Sequence, residues 1–282
     1  MAFSISSSIF LQKLRDMGIS RVDAVELISY LTGSAYQDVA QDPNIWQVDD
    51  GDVAIVIEKL KREVPIPYIT HRKEFYGYEF AVNADTLIPR ADTETLVNAV
   101  LSDVKSTDSA HVVDLYTGSG CILLTLLKEL PEAAGIGIDI SPRALTLAQS
   151  NAGKLKLDSR ASFIQYDILD GKFNLSKVLA NVAHSASIIT ANPPYVSKEE
   201  YAKCDRAVHY EPKIALVADD EGFAHIKHLL ELISKLKNSP TFYIEIGYMQ
   251  ANRVSELADS LGLTIDIIKD LAGNDRVLKV LS

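Results

Sequence analysis

The sequence predicts an α/β protein: a seven-stranded, mostly parallel sheet, preceded by a small helical bundle and a β-hairpin connector. Three observations predict it. From His111 onward, short runs of β-formers alternate with helical periodicity, the pattern of a parallel sheet with helices on both faces. The stretch VVDLYTGSGCILL reads as strand, small-residue turn and helix in succession. Residues 1 to about 65 show helical periodicity only. The expected division is a helical domain over 1–70, a hairpin over 71–85 and an α/β domain over 86–282.

In the first region Ser20 caps a helix with apolar Val22, Val25, Leu27, Ile28 and Leu31. Asp23 is its acidic N3 residue and Gly33 its stop. A second helix starts near Asp50, carries Val53, Val56, Ile57 and Leu60, and is expected to be ended by Pro65 and Pro67. Trp46 and the apolar stripes are expected in the core. A bundle this small is marginal by itself. In HRKEFYGYEFAVNAD, aromatics alternate around Gly77, as in a hairpin. Asp92 is placed to cap a helix running to about Asp103. Strands are expected at His111–Leu115, Gly135–Asp139, Ala161–Tyr166, Ser187–Ala191, Phe242–Ile246, Leu263–Ile268 and Arg276–Leu281. The clearest helices between them are Leu123–Leu130, Pro142–Ala152, Gly222–Lys237 and Ala251–Leu261. Residues 171–186 read as a polar loop.

Composition bounds the function. At 282 residues, 47% hydrophobic and 23% charged, the chain has ample material for a core. A net charge of −10 gives no general attraction to phosphate backbones, which disfavours nucleic acid as a partner. Cys121 and Cys204 lie in no metal-ligand spacing and read as reduced thiols, and the six histidines show none either, so no metal is expected. No signal peptide or membrane-spanning run is legible, so a cytoplasmic location is expected, with no membrane partner.

Two loops carry chemistry. Gly118 and Gly120 let backbone approach a ligand closely at a helix N-terminus. Asp139 ends the next strand, 25 positions after Asp114. That is where an acid accepts hydrogen bonds from a ribose diol, although before Ser141-Pro142 it also reads as a helix cap. The second loop is Asn192-Pro193-Pro194-Tyr195, in SIITANPPYV. Adjacent prolines make a rigid loop at a strand end, and strand ends of an open sheet face the ligand crevice. The Asn192 side-chain carbonyl and the Pro193 backbone carbonyl each accept one hydrogen bond from a planar NH2 group. The Tyr195 ring lies against its flat face. Fixing both protons aims the nitrogen at an electrophilic methyl group, without an activated nucleophile or metal. The loop by itself allows a glutamine amide or an exocyclic base amine; as a bare motif it also reads as a proline-rich turn.

The spacing Asp114-x-x-x-Gly118-x-Gly120 resembles the D-x-G-x-G-x-G loop of class I S-adenosylmethionine-dependent methyltransferases, with Tyr116 in place of the first glycine. Their Rossmann-like fold is the one predicted above. In such proteins adenine is contacted after the third strand, where Asp167 and Ile168 stand here. Further segments resemble one family: PIPYITHRKEFYGYEF, TLIPRADTETLV, DLYTGSG, GIDIS, NPPY, HYEPKIALVADDEG, IEIGYMQ and GNDRVLKV recur in order over about residues 64–282. These resemble the release-factor glutamine methyltransferases, which methylate the glutamine of the Gly-Gly-Gln motif in class-1 peptide chain release factors. The resemblance implies S-adenosylmethionine as cofactor, held by Tyr116, Thr117, Gly118, Ser119, Gly120, Asp139, Asp167, Ile168 and Asn192. It implies that Asn192, Pro193, Pro194 and Tyr195 hold the substrate glutamine, with Asn192, Pro193 and Tyr195 catalytic. Arg90 stands as a cofactor-side gate or a capping residue. Glu211-Pro212 is expected to shape the substrate loop, and Glu245 and Asp275-Arg276 to be structural polar pairs. A monomer is expected, with release factors as partners and the helical domain docking them. A ribosomal-protein glutamine, or an adenine N6 or guanine N2 amine, is the alternative target; a decayed scaffold is a third reading, to which Tyr116 alone points.

Overall fold

The computed structural model describes residues 4–104, 110–181, 187–236 and 240–281. Two compact units divide the chain: Met1–Arg72 with Arg206–Tyr210, and Lys73–Asp205 with Glu211–Ser282.

The first unit is not purely helical. Strand β1 (Ser4–Ser6) pairs antiparallel with β2 (Gln47–Asp49) around α1 (Ser7–Asp16), α2 (Arg21–Thr32) and α3 (Tyr36–Gln41). Three-residue strands leave no period to read, so the sequence pattern did not reveal them. Helix α2 begins as expected: Asp23 N donates to Ser20 Oγ at 3.1 Å, and Gly33 ends it at φ 68°. Its buried stripe includes Ala24, Val25, Leu27 and Ile28, whereas Val22 is exposed. Helix α4 (Asp50–Lys61) is capped by Asp49 and buries Val53, Val56 and Leu60. Pro65 and Pro67 do not end it. They open α5 (Ile66–Thr70), because proline suits a helix's first turn, where no N–H is needed. Trp46 packs half-buried on this core, its Nε1 donating to the Asp42 carbonyl at 3.0 Å.

Strands β3 (Arg72–Phe75) and β4 (Tyr78–Ala81) form the expected hairpin. Tyr76 and Gly77 turn it with φ of 53° and 76°, the two left-handed residues of a tight hairpin turn. Phe75 and Phe80 bury their rings edge to face, 6.2 Å apart. Asp92 does not cap the following helix. It lies inside a 3-10 turn, Ala91–Thr93, that runs straight into α6 (Glu94–Asp103).

The second unit is built on a seven-stranded sheet of β5 (His111–Leu115), β6 (Ala134–Asp139), β7 (Ala161–Gln165), β8 (Ser187–Ala191), β9 (Thr241–Glu245), β10 (Ile265–Lys269) and β11 (Asp275–Val280). Its spatial order is β10-β11-β9-β8-β5-β6-β7. The first five strands run parallel; β11 pairs antiparallel with β9, and β10 with β11. Adjacent residues of β5 enter opposite cores: Val112 packs with α6 and α7 (Cys121–Glu129), and Val113 with helices of the other face. That period of two, with both faces covered, explains the near-continuous apolar strands. Helices α8 (Pro142–Lys154) and α9 (Leu175–Asn181) follow β6 and β7. Helix α9 lies where a polar loop was expected; residues 182–186 of that stretch lie outside the described residues. After β8 come α10 (Lys198–Tyr201), the one-turn α11 (Asp219–Gly222) and α12 (Ala224–Ile233). Helix α12 begins after Gly222 because Asp220, Glu221 and Gly222 are all left-handed, with φ of 56°, 54° and 85°. The expected end of this helix, Lys237, lies outside the described residues. Helix α13 (Ala251–Ser260) completes the second face. No helix among the described residues is long and apolar enough to cross a membrane.

Candidate active site

The sheet order explains where a site forms. From β5 the chain moves outward through β6 and β7, then returns to lay β8 against the other edge of β5. Loops leaving β5 and β8 therefore diverge and open a crevice at the strand ends, the usual ligand position in an open α/β sheet. Leu115 pairs with both Ile138 and Ala191, so the loops after β5, β6 and β8 start level with one another. A cleft lies there, bordered by Tyr116, Gly118, Asp139, Ile140, Asn192 and Pro194 among others.

Asp114 is fully buried under the first loop. Thr117 and Thr190 each donate their hydroxyl to it, at 2.6 Å, tying the loop to β8. Burial lifts its carboxyl to about 6, with the two hydroxyls opposing that lift. Tyr116 takes φ 60°, the left-handed conformation that suits glycine at this position. Its ring meets His225 edge-on at 5.4 Å, and its hydroxyl lies 3.2 Å from His225 Nδ1. The tyrosine that departs from the methyltransferase loop pattern is thus anchored to α12. Burial, above all, raises its phenol and lowers the His225 imidazole.

Asp139 holds the loop from the β6 side. Its Oδ2 accepts from Gly118 N and its Oδ1 from Ser141 N, both at 2.9 Å. Ser141, not Asp139, caps α8 by accepting from Ala144 N at 3.2 Å. Burial is the main cause raising the Asp139 carboxyl. A carboxylate has about four acceptor positions, so Asp139 keeps acceptor capacity for a ligand's hydroxyl group. Beside it Ile140, 38% exposed, gives the cleft an apolar wall. Ile168 does not: it is 2% exposed and packed in the core. Asp167 is exposed, accepts from Leu169 N at 2.9 Å and is not among the bordering residues.

Opposite stands the proline loop. Asn192 and Pro194 border the cleft, and Asn192 Nδ2 donates to Thr93 Oγ1 at 3.3 Å. Pro193 is buried. The Tyr195 hydroxyl donates to Glu245 Oε1 at 3.1 Å, and its residue borders a neighbouring groove instead. The loop's exit is fixed by Val196 N to Leu216 O at 2.9 Å and Ala218 N to Val196 O at 3.0 Å. The remaining wall comes from residues 85–93 and 212–215. Buried Glu211 joins these segments: one oxygen takes Ile88 N at 3.0 Å and the other takes Arg90. Arg276 pairs with Asp270 and Asp92, both at 3.2 Å, whereas Asp275 pairs with Lys269.

These residues fit an adenosyl cofactor: a half-buried carboxylate with spare lone pairs, the glycine-bearing loop it ties down, and an apolar wall beside it. A family model described as a methyltransferase domain matches residues 106–262. The release factor glutamine methyltransferase of Agrobacterium fabrum is 35% identical over 91% of this chain and 89% of its own length.

The chain belongs to the release factor glutamine methyltransferase family.

Its Bacillus subtilis relative is 36% identical over 79% of this chain and 77% of its own length. The bifunctional methyltransferase of Rickettsia bellii is 33% identical over 95% of this chain, which spans about half (52%) of that relative's length. Among solved structures, the N-terminal domain of human METTL16 in complex with SAH has a TM-score of 0.54 at 13% identity, covering 90% of this chain and 93% of that one. That likeness shows the fold alone. Thr93, Ile140 and Glu211 border or brace the cleft as closely as the residues singled out from the motifs. All three lie inside the segments quoted above, where Glu211 was expected to shape the substrate loop but neither Thr93 nor Ile140 was singled out.

Proposed function

We propose that this chain transfers a methyl group from S-adenosylmethionine to the side-chain amide nitrogen of the glutamine in the Gly-Gly-Gln motif of class-1 peptide chain release factors, in the cytoplasm. One observation carries the reading: Asn192 and Pro194 border the same cleft as Gly118 and Asp139. The cofactor supplies a methyl group activated by a positive sulfonium. Asp139 and the Tyr116–Gly120 loop hold its adenosyl part, with Ile140 as the apolar wall. The Asn192 side-chain carbonyl and the Pro193 backbone carbonyl accept the two amide protons of the glutamine, and Pro194 flanks it. An amide nitrogen is a poor nucleophile, so orientation supplies much of the acceleration; well-oriented reactants gain about 7–11 kcal/mol in favourable cases. The Met1–Arg72 unit docks the protein substrate.

Incubation of the chain with labelled cofactor and a release factor tests the reading. The expected result is one methyl group on the Gly-Gly-Gln glutamine, located by mass spectrometry. Incorporation that persists when this glutamine is replaced, or transfer to purified RNA or DNA instead, would overturn it.

A further inference from the structure

Asn151, on α8, is 0% exposed. Its amide joins two segments that lie far from it in the chain. Its Nδ2 donates to the Ser119 carbonyl at 2.9 Å and to the Ala81 carbonyl at 3.1 Å, and its Oδ1 accepts from Ala81 N at 2.8 Å. Two carbonyls need two protons and one N–H needs a lone pair, which an amide supplies and neither a carboxylate nor a hydroxyl does.

Both segments lead to the cleft. Ser119 belongs to the glycine loop and borders it. The peptide between Ser119 and Gly120 is held at both ends: Gly120 N donates to the Thr117 carbonyl at 2.8 Å, while Asn151 takes the Ser119 carbonyl. Without those bonds Gly118 and Gly120, at φ 54° and 80°, leave the loop many other conformations. Ala81 ends β4, and Asp85, four positions on, begins the wall formed by residues 85–93. Asn83 stiffens this join, its Oδ1 accepting from Asp85 N at 2.9 Å and its carbonyl from Thr86 N at 3.2 Å.

We propose that Asn151 is a positioning residue for the cofactor: one buried amide holds the glycine loop and the strand leading into the 85–93 wall at a fixed spacing, so the cleft is formed before S-adenosylmethionine enters. Binding then carries less of the cost of ordering the loop. This rests on the cleft being the cofactor site. Asn151 touches neither cofactor nor substrate; it acts through Ser119 and Ala81.

Three variants test it. Asn151→Leu is close in size and makes none of the three bonds. Asn151→Asp keeps the acceptor for Ala81 N but sets a carboxylate against two carbonyls. Lys154→Ala is the control: its ion pair with Glu79, at 2.9 Å, also joins α8 to β4 but does not reach the loop. Each is measured for S-adenosylmethionine affinity by calorimetry, at a temperature where circular dichroism shows it folded, and for KM on a release factor. Asn151→Leu weakens the cofactor about tenfold and Asn151→Asp at least as much, with KM for the release factor within about threefold of the parent. Lys154→Ala binds the cofactor like the parent. Hydrogen exchange gives a readout that a merely structural role would not move. Residues 78–81 do not border the cleft, yet in the parent the cofactor slows exchange of their amides, because the joined state is the one that binds. In Asn151→Leu that response is lost.

A folded Asn151→Leu chain that binds within about threefold of the parent overturns the inference. So does a Lys154→Ala chain weakened as much as Asn151→Leu, which would make hairpin docking in general the cause. If neither Asn151 variant folds, the parent's exchange decides, and amides of residues 78–81 that ignore the cofactor overturn the inference. Binding of S-adenosylmethionine by the parent bears on the cofactor site, and the ratios among the variants bear on the positioning, so the two fail separately.

Discussion

Replacing Gly222 by alanine should move the proline loop without touching the cleft. Gly222 has φ +85°, and a Cβ there would lie 2.3 Å from the Tyr195 carbonyl oxygen and 3.0 Å from its carbon. The oxygen must retreat by about 0.7 Å to reach 3.0 Å, the closest distance that real Cβ atoms tolerate. It has little room, because Gln250 Nε2 donates both to it at 3.3 Å and to Gly222 O at 3.1 Å. The left-handed conformation costs an alanine about 1–2 kcal/mol, and crowding adds roughly 1–3 kcal/mol. A misplacement near 1 Å costs about 10² in rate when the reaction depends on orientation. The expected result is a kcat on release factor lowered by about 10–10²-fold, with calorimetric cofactor affinity near the parent value. Gly33→Ala is the control: φ is +68° there too, but nothing lies within 4 Å of the added Cβ. It should carry the backbone cost and leave kcat alone. If folded Gly222→Ala turns over like the parent, or Gly33→Ala slows as much, the close approach does not position the loop.

Three further outcomes are expected. Asp139→Asn should weaken cofactor binding by about 10–10²-fold, the loss of charge-assisted hydrogen bonds worth about 1.5–3 kcal/mol, read by calorimetry. Asp114 should give stability a pH slope. Its carboxyl stands at about 6 in the fold against an ordinary 3.8, so between those values the native state holds the proton more tightly. Its contribution is full below about pH 4 and is lost as pH rises through about 6, roughly 3 kcal/mol in all at 1.36 kcal/mol per pH unit. Urea unfolding of the parent and Asp114→Asn should therefore diverge across that window; parallel curves would refute the burial cause. Removing residues 1–65 should raise KM for the intact release factor more than for a short glutamine peptide, and equal rises would count against docking by this unit.

The sequence by itself determined the order and type of nearly every α/β element, because each strand is a short apolar run and each clear helix has a periodic stripe. It determined the caps Ser20 and Gly33, and the hairpin around Gly77, from local chemistry. It also marked both loops of the site, since glycine spacing and paired prolines are local features. It did not reveal β1 and β2, which exist only because segments more than 40 positions apart pair. Nor did it distinguish Ile140, on the cleft wall, from Ile168, in the core; both follow an aspartate near a strand end, and only the packing around α12 decides between them. The braces were equally out of reach. Thr190 to Asp114, Asn192 to Thr93, Tyr195 to Glu245 and Glu211 to Arg90 span 76, 99, 50 and 121 positions. Hydrogen bonds of that range follow from sheet order and register, and no local pattern encodes them. The chain's motifs named the two halves of the site; the return of β8 to the edge of β5 set them across one cleft.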